Sequence, residues 1–372
     1  MKKWIIALIL LFTLSLTACW DMVEINQRLF VSSIGIDLNN TRDINKYSVT
    51  YVYPNINAVG KNASEDKKVF VINAPSSSLF QAGRSASTQE EFPFYYKHLK
   101  VLIIGEDLSR DKKLVKQLID ELNRDTKINK KIQILIAKGD AKDILSSKST
   151  NKHSGNETIY NILKDNKSAA RFTPQTLTGI IKEMDYNNVC TVPLIEKIED
   201  KVDVGGAVIM KDYKSIGELN GIQNRAIALV RNEVKQELID IEYKKNLLSY
   251  NITVAKSTKD VIIDENINVN INVNTEGYLQ GYTMGRDVNV YNNKILTDME
   301  KAIEKQLKKE IEDTIALSQK KYNADIIGIR EYLSKYHPNE WENIKEKWDE
   351  IYPDIKFNII VDVKIRRTGL TK

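Results

Sequence analysis

Asn266 to Asn274 reads NINVNINVN, nine residues in which asparagine alternates without a break with β-branched side chains. A period of two puts Ile267, Val269, Ile271 and Val273 on one side and five asparagines on the other, which a strand with one buried face satisfies and a helix does not. An antiparallel neighbour is the economical expectation, because such sheets commonly keep one wet face. FNIIVDVKI repeats the scheme with Phe357, Ile359, Val361, Val363 and Ile365. Asparagine-rich runs also mark polar zippers, but one short run is too little for that reading.

The interval between these strands predicts helices. Thr297 and Glu300 have capping-box spacing at the head of a long amphipathic stretch whose inner face is Met299, Ile303, Leu307, Ile311 and Ile315. A last helix is expected after His337-Pro338, capped by Asn339, with Trp341, Ile344, Trp348 and Ile351 on one stripe and Pro353 closing it.

Upstream, FVSSIGID, YSVTYVYP, KVFVINA, KVLIIG and KIQILIA are β-branched runs of strand length bounded by turn residues. Helices are expected from Ser76 to Ser87 and from Ser109 to Arg124, the second with Leu114, Val115, Leu118, Ile119 and Leu122 on one face. A third follows in FTPQTLTGIIKEMD, with Thr173 as N-cap, Pro174 at the first helical position, and a stripe of Leu177, Ile180, Ile181 and Met184. The fold class expected is α+β, a multidomain mixed α/β ectodomain with a C-terminal antiparallel sheet packed against helices. Its divisions are expected at 1–18, a leader; 19–150, an N-terminal α/β domain; 151–200, a mainly helical middle segment; and 201–372, the sheet-plus-helices domain.

Lys2 and Lys3 precede an uncharged run from Trp4 to Leu16, the layout of a secretory signal peptide. A membrane-spanning helix needs about 20 apolar residues, and this segment meets Asp21 and Glu24 first. Leu16-Thr17-Ala18-Cys19 matches the bacterial lipobox, in which the cysteine sulfur receives diacylglycerol, with N-acylation as a further step, and becomes the first mature residue. An ordinary cleavage site followed by a chance cysteine is the alternative. Of two cysteines, acylation consumes one, so Cys190 has no intramolecular partner and reads as a small buried hydrophobe. Losing Lys2 and Lys3 lowers the formal charge from +5 to +3, dispersed along the chain, and this gives no footprint for nucleic acid.

Catalytic and cofactor patterns are sparse. His98, His153 and His337 stand apart from any second ligand at metal-site spacing, so neither metal nor other cofactor is expected. GRSAS, Gly83 to Ser87, approaches the nucleophile elbow, but Ser87 replaces its second glycine and the run reads as helix; a serine hydrolase would use Ser85. His98 reads as a structural histidine ahead of a buried strand, and Gly205-Gly206 as a place of close packing. Arg366 and Arg367 point to opposite faces of a final strand. They suit either a partner or lipid phosphate, or an ion pair with a neighbouring helix carboxylate.

These residues together resemble one family, the Ger(x)C lipoproteins, C subunits of bacterial spore germinant receptors. The resemblance runs through CWDMVEIN, VSSIGID, YSVTYVYP, HLKVLIIGEDLSR, VPLIEK and GGAVIMKDYKSIGELNG. It is densest in the C-terminal stretch, where Asp-Ile-x-Gly, Pro-x-x-Trp, Trp-Asp and Arg-x-Gly follow in order; Ile329 stands where an aromatic is more usual. The resemblance implies a non-enzymatic protein held by lipid on Cys19 to the outer face of the membrane, in the spore the inner membrane. Its implied partners are two integral-membrane subunits of the A and B types. Trp20, Asp21 and Glu24, directly behind the lipid site, and Arg366 and Arg367 are the candidate partner contacts. A solute-binding lipoprotein is the alternative, and would place a ligand cleft between two similar lobes.

Overall fold

The computed structural model describes residues 27–39, 44–55, 69–147, 155–164, 170–282 and 292–367, together with Trp4 and Glu24. The expected leader cleavage site, Cys19, Trp20, Asp21 and His153 lie outside the described residues.

The β-branched runs form a broad mixed sheet. β1 (Leu29–Phe30) pairs in parallel with β5 (Phe94–Tyr95) beside it. The sheet itself contains β2 (Ser33–Leu38), β3 (Tyr47–Pro54), β4 (Val69–Ser76), β6 (Val101–Ile104), β7 (Gln133–Ala137) and β8 (Gln175–Thr176). It is completed by β9 (Val189–Ile198), β10 (Lys201–Lys211) and β11 (Lys214–Leu219). The order is β11-β10-β9-β7-β6-β2-β3-β4, with the short β8 also on β7. Strands β2, β6, β7 and β9 run parallel and the flanking hairpins antiparallel.

Parallel strands need crossovers, and the crossovers cover both faces. That explains why VLII in β6 is apolar at every position. Leu102 and Ile104 enter one core with Leu118 and Leu122, while Val101 and Ile103 enter the opposite one with Ile144 and Leu163. The helices over the first face are α1 (Leu79–Ser87), α2 (Lys112–Arg124) and α3 (Leu177–Asn187). Their caps lie close to the expected places but not always on them. Ser78 caps α1 by accepting from the Gln81 amide, and α2 begins at Lys112 and not at Ser109, capped by Asp111, which accepts from Leu114. Thr176 caps α3 through Gly179, so Thr173-Pro174 stand before the helix and do not begin it.

Gly206 shows why a glycine is required in β10. Its φ is +71°, at a bulge between Val204 and Ala207, and a Cβ would lie 2.1 Å from the Leu219 carbonyl oxygen. The adjacent Gly205 has open space by comparison, its nearest contact being Asp203 Oδ2 at 3.7 Å.

The second sheet is β12 (Glu237–Tyr243), β13 (Asn246–Ile263), β14 (Ile267–Tyr282) and β15 (Lys356–Arg367), in that order. In β14 the alternation is realised: Ile267, Val269, Ile271 and Val273 are buried while the intervening asparagines face outward. β12, β13 and β14 are antiparallel, but β15 lies parallel to β14, which corrects the expected all-antiparallel C-terminal sheet. The reason is the return path. The chain leaves β14 and comes back through helices, and a long crossover of this kind is what a parallel pair needs.

The inner face of this sheet packs on α4 (Gly221–Val230) and α5 (Asn293–Leu317), whose Met299, Ile303, Leu307, Ile311 and Ile315 are buried as the spacing predicts. The expected capping box is not formed. Asn292 caps α5 a turn earlier by accepting from Lys294, while Thr297 Oγ1 donates to the Asn293 carbonyl and Glu300 accepts from Ile365. Pro338 opens its helix, with His337 and not Asn339 at the cap position, and Trp341 and Trp348 meet edge to face at 5.4 Å.

The broad sheet runs across both places where the sequence suggests a division, Thr150 and Lys201. β9 crosses back to β7 from beyond Thr150, and Lys201 opens the second arm of the β9–β10 hairpin. The middle stretch 151–200 contains the helix Gly155–Lys164, α3 and the whole of β9.

Candidate functional site

The candidate contacts fall on different parts of the fold. Glu24 is exposed just ahead of β1, and its carbonyl accepts from the Gln27 amide at 3.1 Å. Arg366 belongs to the second sheet. There its guanidinium grips Glu276 of β14, Nε to Oε2 at 3.0 Å and Nη2 to Oε1 at 2.7 Å. The hydrogen bond from Arg366 holds the Glu276 carboxyl below its usual range, and Glu276 in turn raises the Arg366 pKa. The expected ion pair is therefore made, but to a strand carboxylate in place of a helix one. Arg367 stands opposite Tyr278 in the ladder, after a register shift at Gly277.

The weak chemical motifs resolve into structural roles. Gly83 to Ser87 lies within α1, where Ser87 Oγ donates to the Gly83 carbonyl, so Ser85 sits on a regular helix and not on a strand-to-helix elbow. His98 is exposed at the end of a short turn, its ring edge-on to Phe30 at 5.1 Å. Cys190 is 1% exposed, and burial pushes its thiol pKa well up, away from thiolate chemistry. Among the described residues, no group of three or more His, Cys, Asp or Glu could hold a metal ion. No helix among them is long and apolar enough to cross a membrane.

What the sequence does not announce is a set of charges drawn inward between the two sheets. A polar cavity of about 240 Å³ is lined by Glu183, Cys190, Arg231, Glu233, Lys259 and Asp325, among others. Arg231 at the end of α4 bridges Glu183 of α3 at 2.6 Å and Glu233 at 3.0 Å. Burial opposes the Arg231 charge, but Glu233 and Glu183 outweigh it and raise its pKa. Lys259 donates to the Ile327 carbonyl at 2.7 Å, and burial lowers its pKa to about 8 in spite of Asp325 nearby. Asp325 accepts from the Gly328 and Arg330 amides at 2.9 and 2.7 Å, yet burial dominates and raises its pKa.

A second buried network lies deeper. Arg225 of α4 pairs with Glu310 of α5 at 2.7 Å and Glu237 of β12 at 3.3 Å, and Glu237 also accepts from the Ala170 amide at 2.5 Å. These groups are up to 140 residues apart in sequence and carry no local spacing signal, so only the assembled fold brings them together. Each of these charges is paired with another protein group, and removing one partner would leave the other buried and uncompensated.

Comparison with known proteins places this architecture. The family description "Spore germination protein N-terminal domain" matches residues 21–197, and "Spore germination B3/GerAC like, C-terminal" matches residues 204–369. Among curated relatives from Bacillus subtilis (strain 168), spore germination protein B3 is 22% identical over 361 residues, covering 96% of this chain and 95% of that one. Spore germination protein KC, from the same organism, is 24% identical over 388 residues, covering 98% and 95%. The crystal structure of the GerBC protein superposes with a TM-score of 0.62 at 18% identity, over 90% of this chain and 97% of that one, and shares its fold. With both domain descriptions matched in order along nearly the whole chain, the protein belongs to the Ger(x)C family of spore germination proteins.

Proposed function

We propose that this chain is the lipid-anchored C subunit of a spore germinant receptor, required for nutrient-triggered germination through docking to two integral-membrane subunits of the A and B types. Membership of a spore germination family supports the process, and the Leu16-Thr17-Ala18-Cys19 lipobox behind an apolar leader carries the anchoring. Diacylglycerol on Cys19 supplies two acyl chains. One chain of myristoyl length gives only marginal binding, on the order of 10⁴ M⁻¹, whereas two hold a protein stably at a bilayer. On the outer face of the spore inner membrane, the body then works at a high effective concentration beside its partners, so a modest interface suffices.

A non-enzymatic part needs no cofactor, and the paired charges described above are compatible with that role. The solute-binding alternative fits less well, because the two layers are unlike: nine strands with helices on both faces against four strands with helices on one. Spores carrying Cys19→Ala are expected to contain a folded chain that leaves the membrane fraction, with nutrient-triggered germination slowed at least several-fold. Unchanged membrane retention and an unchanged germination response would refute the proposal.

A further inference from the structure

One end of the broad sheet differs in chemistry from the other. The N-terminal ends of β2, β6 and β7 lie together there, with the end of β3 and the start of β4, because Ser33 pairs with both Val101 and Val52, and Tyr53 with Phe70. The segments that feed these strands are aromatic. Phe30, Tyr95 and His98 form a mutual cluster with ring centroids 5.1 to 5.9 Å apart, and Phe70, 46% exposed, lies 5.5 Å from Tyr53. Cations stand among them. Arg28 lies over the Tyr95 ring at 4.8 Å and Lys100 over Tyr160 at 4.8 Å, and Lys97 and Lys131 are exposed in the segments before β6 and β7. Acidic groups also stand at this end: Glu90, hydrogen-bonded to Tyr53, and the exposed Glu24 and Glu91.

Amphipathic rings mixed with cations are the composition of a surface that rests at the headgroup level of an anionic bilayer. Chain length points to the same place independently. Cys19 and Leu29 are ten residues apart, so the tether reaches at most about 35 Å, and it joins the fold at this same end. The span limits how far this end can lie from the bilayer, but does not by itself fix which side faces it. The aromatic and basic end makes that choice.

We infer that this end of the broad sheet, around Phe30, Phe70, Tyr95, Lys97 and Lys100, docks on the anionic lipid surface and orients the anchored body, an inference that rests on lipid attachment at Cys19. The partner is the bilayer itself. The second sheet and the opposite end of the first are thereby left free for protein contacts.

The test uses the full acylated chain, purified in detergent and reconstituted into vesicles of phosphatidylcholine and phosphatidylglycerol carrying a headgroup nitroxide. Cys190 is buried and does not compete for thiol labels, so a fluorophore can be placed at Phe70→Cys or, as the control beyond the far end of β6, at Asp107→Cys. The label at position 70 is expected to be quenched at least twofold more than that at 107. Adding the exposed changes Lys97→Glu and Lys100→Glu should cut that difference at least in half. Equal quenching at both positions in a chain that floats with the vesicles overturns the orientation while the anchor stands. Failure to float removes the anchor and the orientation together. A label at position 70 that stays exposed on vesicles but is shielded in the receptor complex in detergent makes this face a protein-docking surface and overturns the lipid assignment.

Discussion

Nothing in SIGIDL distinguishes Asp37 from any acid at the end of a strand, yet it is 5% exposed. Its carboxylate accepts from the Ala141 and Lys142 amides at 2.7 and 3.0 Å, capping a short helix that packs on β2. Burial outweighs those two bonds, Asp140 and Asp143 add to it, and the pKa rises from 3.8 to about 6. A carboxyl that holds its proton more tightly when folded makes the native state the greater proton binder between about pH 4 and 6. Stability contributed by this group therefore falls as pH rises through that window, and the cost stays in full above it. At 1.36 kcal/mol per decade of affinity the change is on the order of 3 kcal/mol. Asp37→Asn cannot titrate, so in urea unfolding it should gain on the wild type by about 2 to 3 kcal/mol between pH 4 and pH 7; parallel pH profiles for the two proteins would contradict this account. At the same scale, Arg366 shows what a single sequence conveys: that an arginine on a surface strand needs a counter-charge is legible, but which carboxylate supplies it depends on the strand beside it.

Elements were legible wherever a period was strong. NINVNINVN and FNIIVDVKI fixed two strands and their buried faces, and the stripe from Met299 to Ile315 fixed α5, because side-chain periodicity is a local consequence of backbone geometry. The caps were less legible, since Thr297 competes with Asn292 and the sequence holds no measure of which turn begins first. The parallel placement of β15 was not legible at all, for it is decided by a crossover of some 70 residues. That placement leaves β15 on the edge of its sheet, and unpaired edge amides invite pairing with other chains. α5 covers this edge: Glu304 accepts from the Val363 amide at 3.2 Å and Glu300 from Ile365 at 2.9 Å. Glu300→Ala with Glu304→Ala should cost roughly 1.5 to 3 kcal/mol per bond to a charged group. It should also produce self-association in sedimentation at concentrations where the wild type is monomeric, while the paired glutamine changes, which keep an acceptor, should not. An alanine pair as stable and as monomeric as the wild type would mean that the helix merely passes the edge.

Over the whole molecule, the two family segments look separable in sequence, and the divergence between that impression and the fold comes from β10. Alternate residues of this strand enter different cores: Val208 and Met210 join α1, α2 and α3, Val204 joins the opposite face, and Ile209 joins the core of the second sheet. Pairing partners of this kind leave no local trace, because a strand's pattern states which faces are buried and not what buries them. α4 then ties the layers again: its Arg225 holds Glu310 and Glu237, the latter accepting from the Ala170 amide, and Arg231 at its end reaches Glu183 of α3. Layers that share a strand and buried charge networks should open together. Tryptophan fluorescence from Trp341 and Trp348, which lie in the core of the second sheet, and far-ultraviolet circular dichroism, which reads both sheets, are therefore expected to report one coincident urea transition. Arg225→Met is the sharper probe. It leaves Glu310 and Glu237 buried without their countercharge, a loss of about 3 to 5 kcal/mol, and both signals should move to lower urea by the same amount. If only the fluorescence moved while part of the dichroism kept its wild-type midpoint, the two sheets would be energetically separate bodies, and β10 would be a shared border without being a shared support.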